Sequence, residues 1–399
     1  MKQEIDLLIK PEFVDAYKDG YPLLTRESIA NIDKLGKQGQ ILNLVDSKKK
    51  FIAKAYYGIQ NKGYGWVLSL DKDEKIDSSF FERKIVDAIK YREDFYSDSY
   101  TTAFRVFNTQ GDGIGGLSID YFDGYYLITW YSEGIYVFKE EILKALKSAV
   151  KYKGIYQKKR FDVKGSFLED GEDFISGSTA PCPLIVKENG VNFAIYLDDG
   201  AMVGVFLDQR EVRKTLRDKY SKGKTTLNTF SYTGAFSVFA SMGGASKTTS
   251  VDLAKRSLAK TKEQFSINKI DASTQDIIVE DVFHYFKYAV RKKLSFDIVV
   301  LDPPSFARSK KHTFSASKDY VNLLKEAIKI SSKNGLIVAS TNSANFSMMT
   351  FRGFIDRAFK ELKIGFKVQE SFSLAKDFRV DPKFKEDNYL KVVFIKKLT

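Results

Sequence analysis

The sequence predicts an α/β protein. Its carboxyl half should form an open, doubly wound, mostly parallel sheet, and its amino-terminal part a separate β-rich module. Three observations predict this. From residue 225 onward, strand-like apolar runs alternate with helical patterns, which is the signature of parallel βαβ units. The run Ile298-Val-Val-Leu301 is apolar at every position, as a strand buried on both faces should be. The first 75 residues instead carry short strand-like runs broken by turns.

In the amino-terminal module strands are expected at 39–45, 51–56 and 65–70. Residues 79–91 place Phe81, Ile85, Ala88 and Ile89 on one side of a helix. Strands at 104–107, 116–121 and 125–131 and a helix at 138–151 complete a middle unit of mixed α+β character. In the carboxyl half, strands are expected at 225–230, 248–253, 276–279, 296–301, 336–340, 366–372 and 389–396. Helices fit 254–268, 320–332 and 349–362, and one opens at Ala235. No long helix separates the last two strands, so they should form an antiparallel edge pair with the final strand reversed. The expected domains are 1–75, 76–180 and 181–399.

A chain of 399 residues exceeds one average domain. With 43% hydrophobic and 29% charged residues it has ample core material. No apolar run is long enough to cross a bilayer. The first ten residues carry acids where a signal peptide needs an apolar core. A cytoplasmic location is therefore expected, with no membrane partner. The single cysteine, Cys182, excludes an intramolecular disulfide and a multi-cysteine zinc site, and two histidines exclude a histidine-rich metal site. No metal is expected. A net charge of +13 favours a polyanionic partner. One basic cluster, residues 151–160, has two tyrosines interleaved and also reads as a solvated strand and turn. The other, Arg308 to His312, follows a candidate active-site turn, which makes Arg308, Lys310 and Lys311 candidate RNA contacts.

That turn is Asp302-Pro303-Pro304. Two prolines stop the strand before it, because proline donates no ladder hydrogen bond. A carboxylate is left at the carboxyl end of a central parallel strand, where open α/β sheets bind ligands. Three further strand ends are polar. The first runs from Asn228 through Phe230 and Tyr232 to Gly234, a tight turn into a helix whose backbone N–H groups can face a ligand. The second ends in Asp252, about 20 residues beyond the glycine turn, where an acid suits ribose hydroxyls. The third ends near Asp281, which suits an adenine amino group, with Val282 and Phe283 covering the ring. Each acid alone also suits a helix N-cap. Four in register describe a nucleoside-shaped cofactor lying across one sheet edge. The stretch Gly111 to Gly116 satisfies G-x-G-x-x-G, but a strand-like alternation follows it where a dinucleotide site needs a helix, so it reads as a hairpin turn.

These motifs, with Gly204-Val-Phe-Leu-Asp-Gln-Arg210, resemble the bacterial large-subunit ribosomal RNA methyltransferases of the 5-methylcytidine type, which carry an amino-terminal PUA domain. The resemblance spans nearly the whole chain. It implies a Rossmann-like class I methyltransferase sheet with an antiparallel edge strand, preceded by a PUA-like RNA-binding domain and an α+β middle domain. It also implies S-adenosylmethionine (SAM) as cofactor and ribosomal RNA as partner. Asp208, Gln209 and Arg210 would help hold the methionine end of SAM, since Gln209 and Arg210 can donate to a carboxylate. Asn228, Phe230, Tyr232, Gly234, Asp252, Asp281, Val282 and Asp302 would complete the cofactor site.

The pattern breaks at one position. Carbon 5 of cytosine becomes nucleophilic only after a thiolate adds at carbon 6. The family places that cysteine after the fifth strand, where this sequence has Asn342. Cys182 lies far upstream between prolines and reads as a buried small hydrophobe. Asp302 and Asn342 are thus the candidate catalytic positions. Three readings remain open: transfer to a nucleophilic nitrogen or oxygen, an RNA-binding relative that keeps only the cofactor site, or carbon methylation by another route. A small-molecule methyltransferase is a further alternative, against which the β-rich domain and the basic loop argue.

Overall fold

The computed structural model describes residues 4–60, 63–163, 166–167, 173–200, 202–308 and 313–398. The chain forms two units, neither continuous in sequence. The first comprises Met1–Val186, Tyr196–Val203 and Lys376–Asp387; the second comprises Lys187–Ile195, Gly204–Ala375 and Asn388–Thr399. No helix among the described residues is long and apolar enough to cross a membrane.

The first unit holds two five-stranded sheets. One orders its strands Glu4–Leu8, Ile41–Val45, Phe51–Gln60, Gly63–Ser69 and Leu23–Thr25. The expected strands are all present. The edge strand Glu4–Leu8, parallel to Ile41–Val45, and the helix Pro11–Lys18 were not anticipated. Both are short, and acids interrupt the apolar pattern of each. The helix Ser78–Tyr91 begins at Asp77, whose side chain accepts from the N–H groups of Ser79 and Phe80. It buries Phe80, Phe81, Ile85 and Ala88.

The second sheet runs Phe174–Gly177, Gly154–Lys159, Tyr125–Trp130, Leu117–Phe122, Ala103–Asn108. The formal G-x-G-x-x-G connects its two last, antiparallel strands, as a hairpin turn should. Its glycines serve packing: a Cβ at Gly111 would lie 1.9 Å from the Arg379 carbonyl oxygen, and one at Gly115 2.1 Å from the Trp66 ring. The basic cluster 151–160 is largely an inner strand of this sheet. Lys158 is buried and paired with Asp173, while Gln157 accepts from the Trp130 indole at 3.2 Å. Its partners, remote in sequence, make a basic strand a structural one.

Segment 376–387 packs into this first unit through Arg92, which is fully buried. All five guanidinium N–H groups are used: two on the Asp112 carboxylate at 2.8 and 2.7 Å, two on the Asp377 carbonyl at 3.0 and 2.7 Å, and one on the Ala88 carbonyl at 3.1 Å.

In the second unit strands are numbered β1 Thr225–Thr229, β2 Lys247–Asp252, β3 Asp276–Val279, β4 Phe296–Leu301, β5 Ser331–Thr341, β6 Gly365–Phe372 and β7 Lys391–Leu398. Their order is β3-β2-β1-β4-β5-β7-β6. The first five are parallel; β7 runs antiparallel to both β5 and β6. The antiparallel pair lies at the expected end of the sheet, with the reversed final strand inserted beside β5 and β6 outside it. Helices α1 Ala235–Met242, α2 Arg256–Ile267, α3 Val282–Arg291, α4 Ala316–Ile330 and α5 Met348–Leu362 cover the sheet. Helix α4 starts four residues earlier than its apolar period suggests, because Asp319 in its first turn accepts from the Ser315 N–H at 2.8 Å. The strand order reverses between β1 and β4, which is where such sheets open a ligand crevice at their carboxyl ends.

Candidate active site

The turn after β1 is strained and heavily braced. Phe230 and Tyr232 have φ of 53° and 52°, and Gly234 has φ of 81°. Left-handed conformations in bulky residues cost roughly 1–2 kcal/mol each and persist only where the surroundings impose them. Here the Tyr232 N–H donates to Asp252 at 2.8 Å, the Ser231 N–H to the Val251 carbonyl at 3.1 Å, and the Thr233 hydroxyl to the Gly204 carbonyl at 2.7 Å. Gly234 is needed for packing as well, since a Cβ there would lie 2.5 Å from Thr261 on α2. Asn228 is buried beneath the turn. Its amide donates to Ser237, whose hydroxyl shares a hydrogen bond with Ser250, so it ties β1, α1 and β2 together.

Asp252 does two jobs at once. One carboxylate oxygen accepts from Tyr232 and the other from the Ala254 N–H, both at 2.8 Å. Each oxygen retains acceptor capacity, so the group can hold a ribose hydroxyl while bracing the turn. Asp281 is the N-cap of α3 and accepts from the His284 N–H at 3.1 Å. Val282 is buried as the first residue of that helix. Phe283 packs edge-on to Phe230 at 6.3 Å between ring centres. A helix over 282–291 was not among the expected elements, although Asp281 also suited a helix N-cap, and the structure gives it that role.

Asp302 stands at the end of β4. The Gln209 amide nitrogen donates to it at 2.7 Å, and the Ser340 hydroxyl donates to the other end of the same amide at 3.4 Å. Burial pushes the Asp302 carboxyl above its ordinary value; hydrogen bonds from Gln209 and Ser340 and the charge of Arg213 oppose the rise. Gln209, expected to face a ligand carboxylate, thus points its amide at Asp302. Arg210 is buried and lies 3.4 Å from Glu211. Asp208 accepts from the Tyr389 hydroxyl at 3.0 Å. The stretch is anchored by a residue that sequence reading passed over: Arg213 makes a bidentate pair with buried Glu188, 2.7 Å at each contact, and donates to the Phe206 carbonyl.

Asn342 follows β5 and is exposed. The Ser305 hydroxyl donates to its side-chain oxygen at 2.6 Å, which joins the Asp302-Pro-Pro turn to the position expected of the nucleophile. Behind it Lys391, the first residue of β7, is buried and donates to the carbonyls of Ser343 and Tyr389 at 3.0 and 2.9 Å. Burial lowers its pKa. No local signal marks Lys391, Tyr389 or Arg213, because Ser343, Asp208 and Glu188, which they respectively engage, lie 48, 181 and 25 residues away. Arg308 begins its contribution as the last residue of a short strand whose partner is Thr313; its side chain, and Lys310, Lys311 and His312, lie outside the described residues. Cys182, expected to be a buried small hydrophobe, is instead exposed; it falls in the first unit.

The arrangement presents two carboxylates at the ends of the adjacent strands β2 and β3, a braced turn at the end of β1, and a third carboxylate at the end of β4, which pairs with the strand that leads into the exposed Asn342. The donor set suits a nucleoside bound along β1 to β3, with a reacting centre near Asp302. Asp252→Ala should weaken binding of the demethylated product S-adenosylhomocysteine to the full chain by about 1–3 kcal/mol, measured by calorimetry, since it removes hydrogen bonds to the ligand. Unchanged affinity would sink the ribose assignment.

Comparison with known proteins agrees with this chemistry. Residues 108–352 match the family model of S-adenosylmethionine-dependent methyltransferases, and residues 7–70 match that of the PUA-like domain. A Bacillus subtilis protein with the provisional name ribosomal RNA large subunit methyltransferase YwbD is 54% identical, covering 98% of this chain and 99% of its own. Ribosomal RNA large subunit methyltransferase I of Pseudoalteromonas translucida is 30% identical, covering 95% and 96%. Among solved structures, a methyltransferase crystallised with S-adenosylhomocysteine superposes with a TM-score of 0.90 at 38% identity, covering 98% of this chain and 99% of that one.

Proposed function

Because this chain belongs to the family of S-adenosylmethionine-dependent ribosomal RNA large subunit methyltransferases, we propose that it methylates a nucleotide of large-subunit ribosomal RNA by direct displacement, with no covalent enzyme–RNA intermediate. The observation that carries the second half is Asn342. It stands where the family resemblance places the cysteine, and an amide does not add to carbon 6 of a pyrimidine. SAM supplies a methyl group on a sulfonium. Asp252 and Asp281 would hold its ribose and adenine, with the turn from Phe230 to Gly234 beneath it. Gln209 keeps the Asp302 carboxylate oriented. Asp302 accepts a hydrogen bond from the acceptor group, so that the acceptor lone pair lines up with the methyl carbon. Asp302 would take the proton that the acceptor N–H or O–H gives up on receiving the methyl group. Positioning of this kind supplies much of the catalysis in an in-line displacement.

The PUA-like module and the sequence Arg308 to His312 would bind the RNA, largely through phosphate contacts. Such a substrate implies a cytoplasmic enzyme. Mass spectrometry of nucleosides from ribosomal RNA, with and without this gene product, identifies the methylated atom. A trapping experiment tests the mechanism. With RNA containing 5-fluorocytidine the protein should form no denaturation-resistant adduct, and Cys182→Ser should leave methyl transfer unchanged. An adduct that vanishes with Cys182→Ser would overturn direct displacement and restore 5-methylcytidine chemistry with a relocated nucleophile. Bound SAM with no methylated RNA product would favour an RNA-binding relative.

A further inference from the structure

We propose that the edge of the large sheet opposite the cofactor crevice is a second RNA surface, which grips phosphates well away from the target nucleotide; this rests on the RNA-methylating reading above. Strands β2, β1, β4 and β5 are neighbours in that order, and all four start at this edge. Each start carries lysine. Lys222 and Lys224 precede β1, Lys247 opens β2 opposite Thr225, Lys292 and Lys293 precede β4, and Lys333 lies in the bulge with which β5 begins. All six are exposed. The backbone ties their loops together. The Gly223 N–H donates to the Gly244 carbonyl at 2.7 Å, the Ser246 N–H to the Lys224 carbonyl at 2.9 Å, and the Thr225 N–H to Asp297 at 3.0 Å. The lysines are thereby held in one row.

The fold does not call for this row. Like charges gathered on one surface repel and weaken the compact state. The carboxylates facing these strand starts are Asp276, 3.0 Å from Lys247, and Asp297, which also accepts from Thr225 and Ser332. Lys269 and Asp271, before β3, offset each other. Six lysines against two carboxylates leave the row strongly positive. Lys292 caps the carboxyl end of α3, where a cation is favoured. That effect fades beyond the last helical turn, so it does not account for Lys224, Lys247 or Lys333. A polyanion does. Adjacent strands lie about 4.8 Å apart, so four strand starts span roughly 15 Å. Successive phosphates of a helical nucleic acid strand advance by roughly 3 Å along the axis, so the row matches about four or five of them. The six-residue β4 rises about 3.3 Å per residue, which puts this edge roughly 20 Å from Asp302. A single nucleotide cannot touch both. The ligand is therefore the sugar–phosphate backbone of an RNA large enough to reach from one edge to the other, gripped without regard to sequence.

The test uses the full chain and protein-free large-subunit ribosomal RNA, with affinity read by filter retention over a range of salt. One variant combines Lys222→Gln, Lys224→Gln and Lys293→Gln. A comparator combines Lys214→Gln, Lys262→Gln and Lys287→Gln, which removes the same charge from exposed helix positions. The edge variant should bind the RNA more weakly, and its plot of log affinity against log salt should be shallower by about two. The comparator should keep the wild-type slope. Calorimetric binding of S-adenosylhomocysteine should be the same in all three proteins, which separates a lost contact from a lost fold. A wild-type slope in the edge variant, or an equal loss in the comparator, overturns the second surface. Lost binding to phosphatidylserine vesicles with RNA affinity intact would overturn it too, and assign the row to a membrane. Methyl transfer by the wild type to the same RNA is a separate measurement, and its absence would count against the RNA-methylating reading instead.

Discussion

Methyl transfer by the Asp302→Ala variant is expected to be slower by about 10²- to 10³-fold at saturating SAM, within the range for losing a group that orients or takes a proton from the acceptor. Asp302 combines three properties. It ends the central strand β4, it is gripped by Gln209 at 2.7 Å, and burial raises its pKa above its ordinary value. Its ionised form is the better acceptor of a hydrogen bond from an incoming N–H or O–H. A raised pKa means that this form is lost, as pH falls, earlier than for an exposed aspartate. The acid limb of the pH–rate profile should therefore lie at higher pH than an exposed aspartate would place it, and Asp302→Asn should remove it. Cofactor affinity in Asp302→Asn should stay within about threefold of wild type, since the amide still bonds to Gln209. An unchanged profile in the asparagine variant, with full activity, would exclude Asp302 from the reacting centre.

The largest expected effect on stability comes from Arg92→Met, about 3–5 kcal/mol, because it takes the bidentate partner from the buried Asp112 carboxylate, which keeps the Asn108 N–H at 2.6 Å and Arg379 at 3.7 Å. The Asp377 carbonyl loses two donors in the same step. The measurement is unusually clean. The chain has two tryptophans, Trp66 and Trp130, and both belong to the first unit. Tryptophan fluorescence in urea therefore follows that unit by itself. Its midpoint should fall sharply in Arg92→Met. A midpoint unchanged to within about 0.5 kcal/mol, the ordinary scatter of surface substitutions, would mean that the buried pair contributes nothing net.

Local patterns carried much of the architecture. The seven strands of the large sheet were legible because each is a short run that is apolar, as in β4, rich in β-branched residues, as in β1 and β2, or alternating, as in β6, and the acids at their ends because strand ends are local features. Interactions closed over long sequence distances were not legible. Gln209 reaches Asp302 across 93 residues and Lys391 reaches Ser343 across 48, so neither leaves a trace in a window of neighbours. Gly154–Lys159 looked like a solvated basic segment, because the groups that bury Gln157 and Lys158 come from Trp130 and Asp173. Asp252 and Asp281 show a different limit. Binding and bracing are alternatives on paper, but Asp252 has the lone pairs to do both.

The return of residues 376–387 to the first unit has a consequence for biosynthesis. Arg92 and the Asp377 carbonyl are 285 residues apart. A ribosome releases the amino-terminal segment long before the piece that completes its interior. The nascent chain must therefore hold Arg92 with part of its bonding unmet until residue 377 has been made. Closing so long a loop is slow, and exposed intermediates are prone to aggregate meanwhile. Premature termination before residue 376 would thus damage the module made first, not merely the end that is missing.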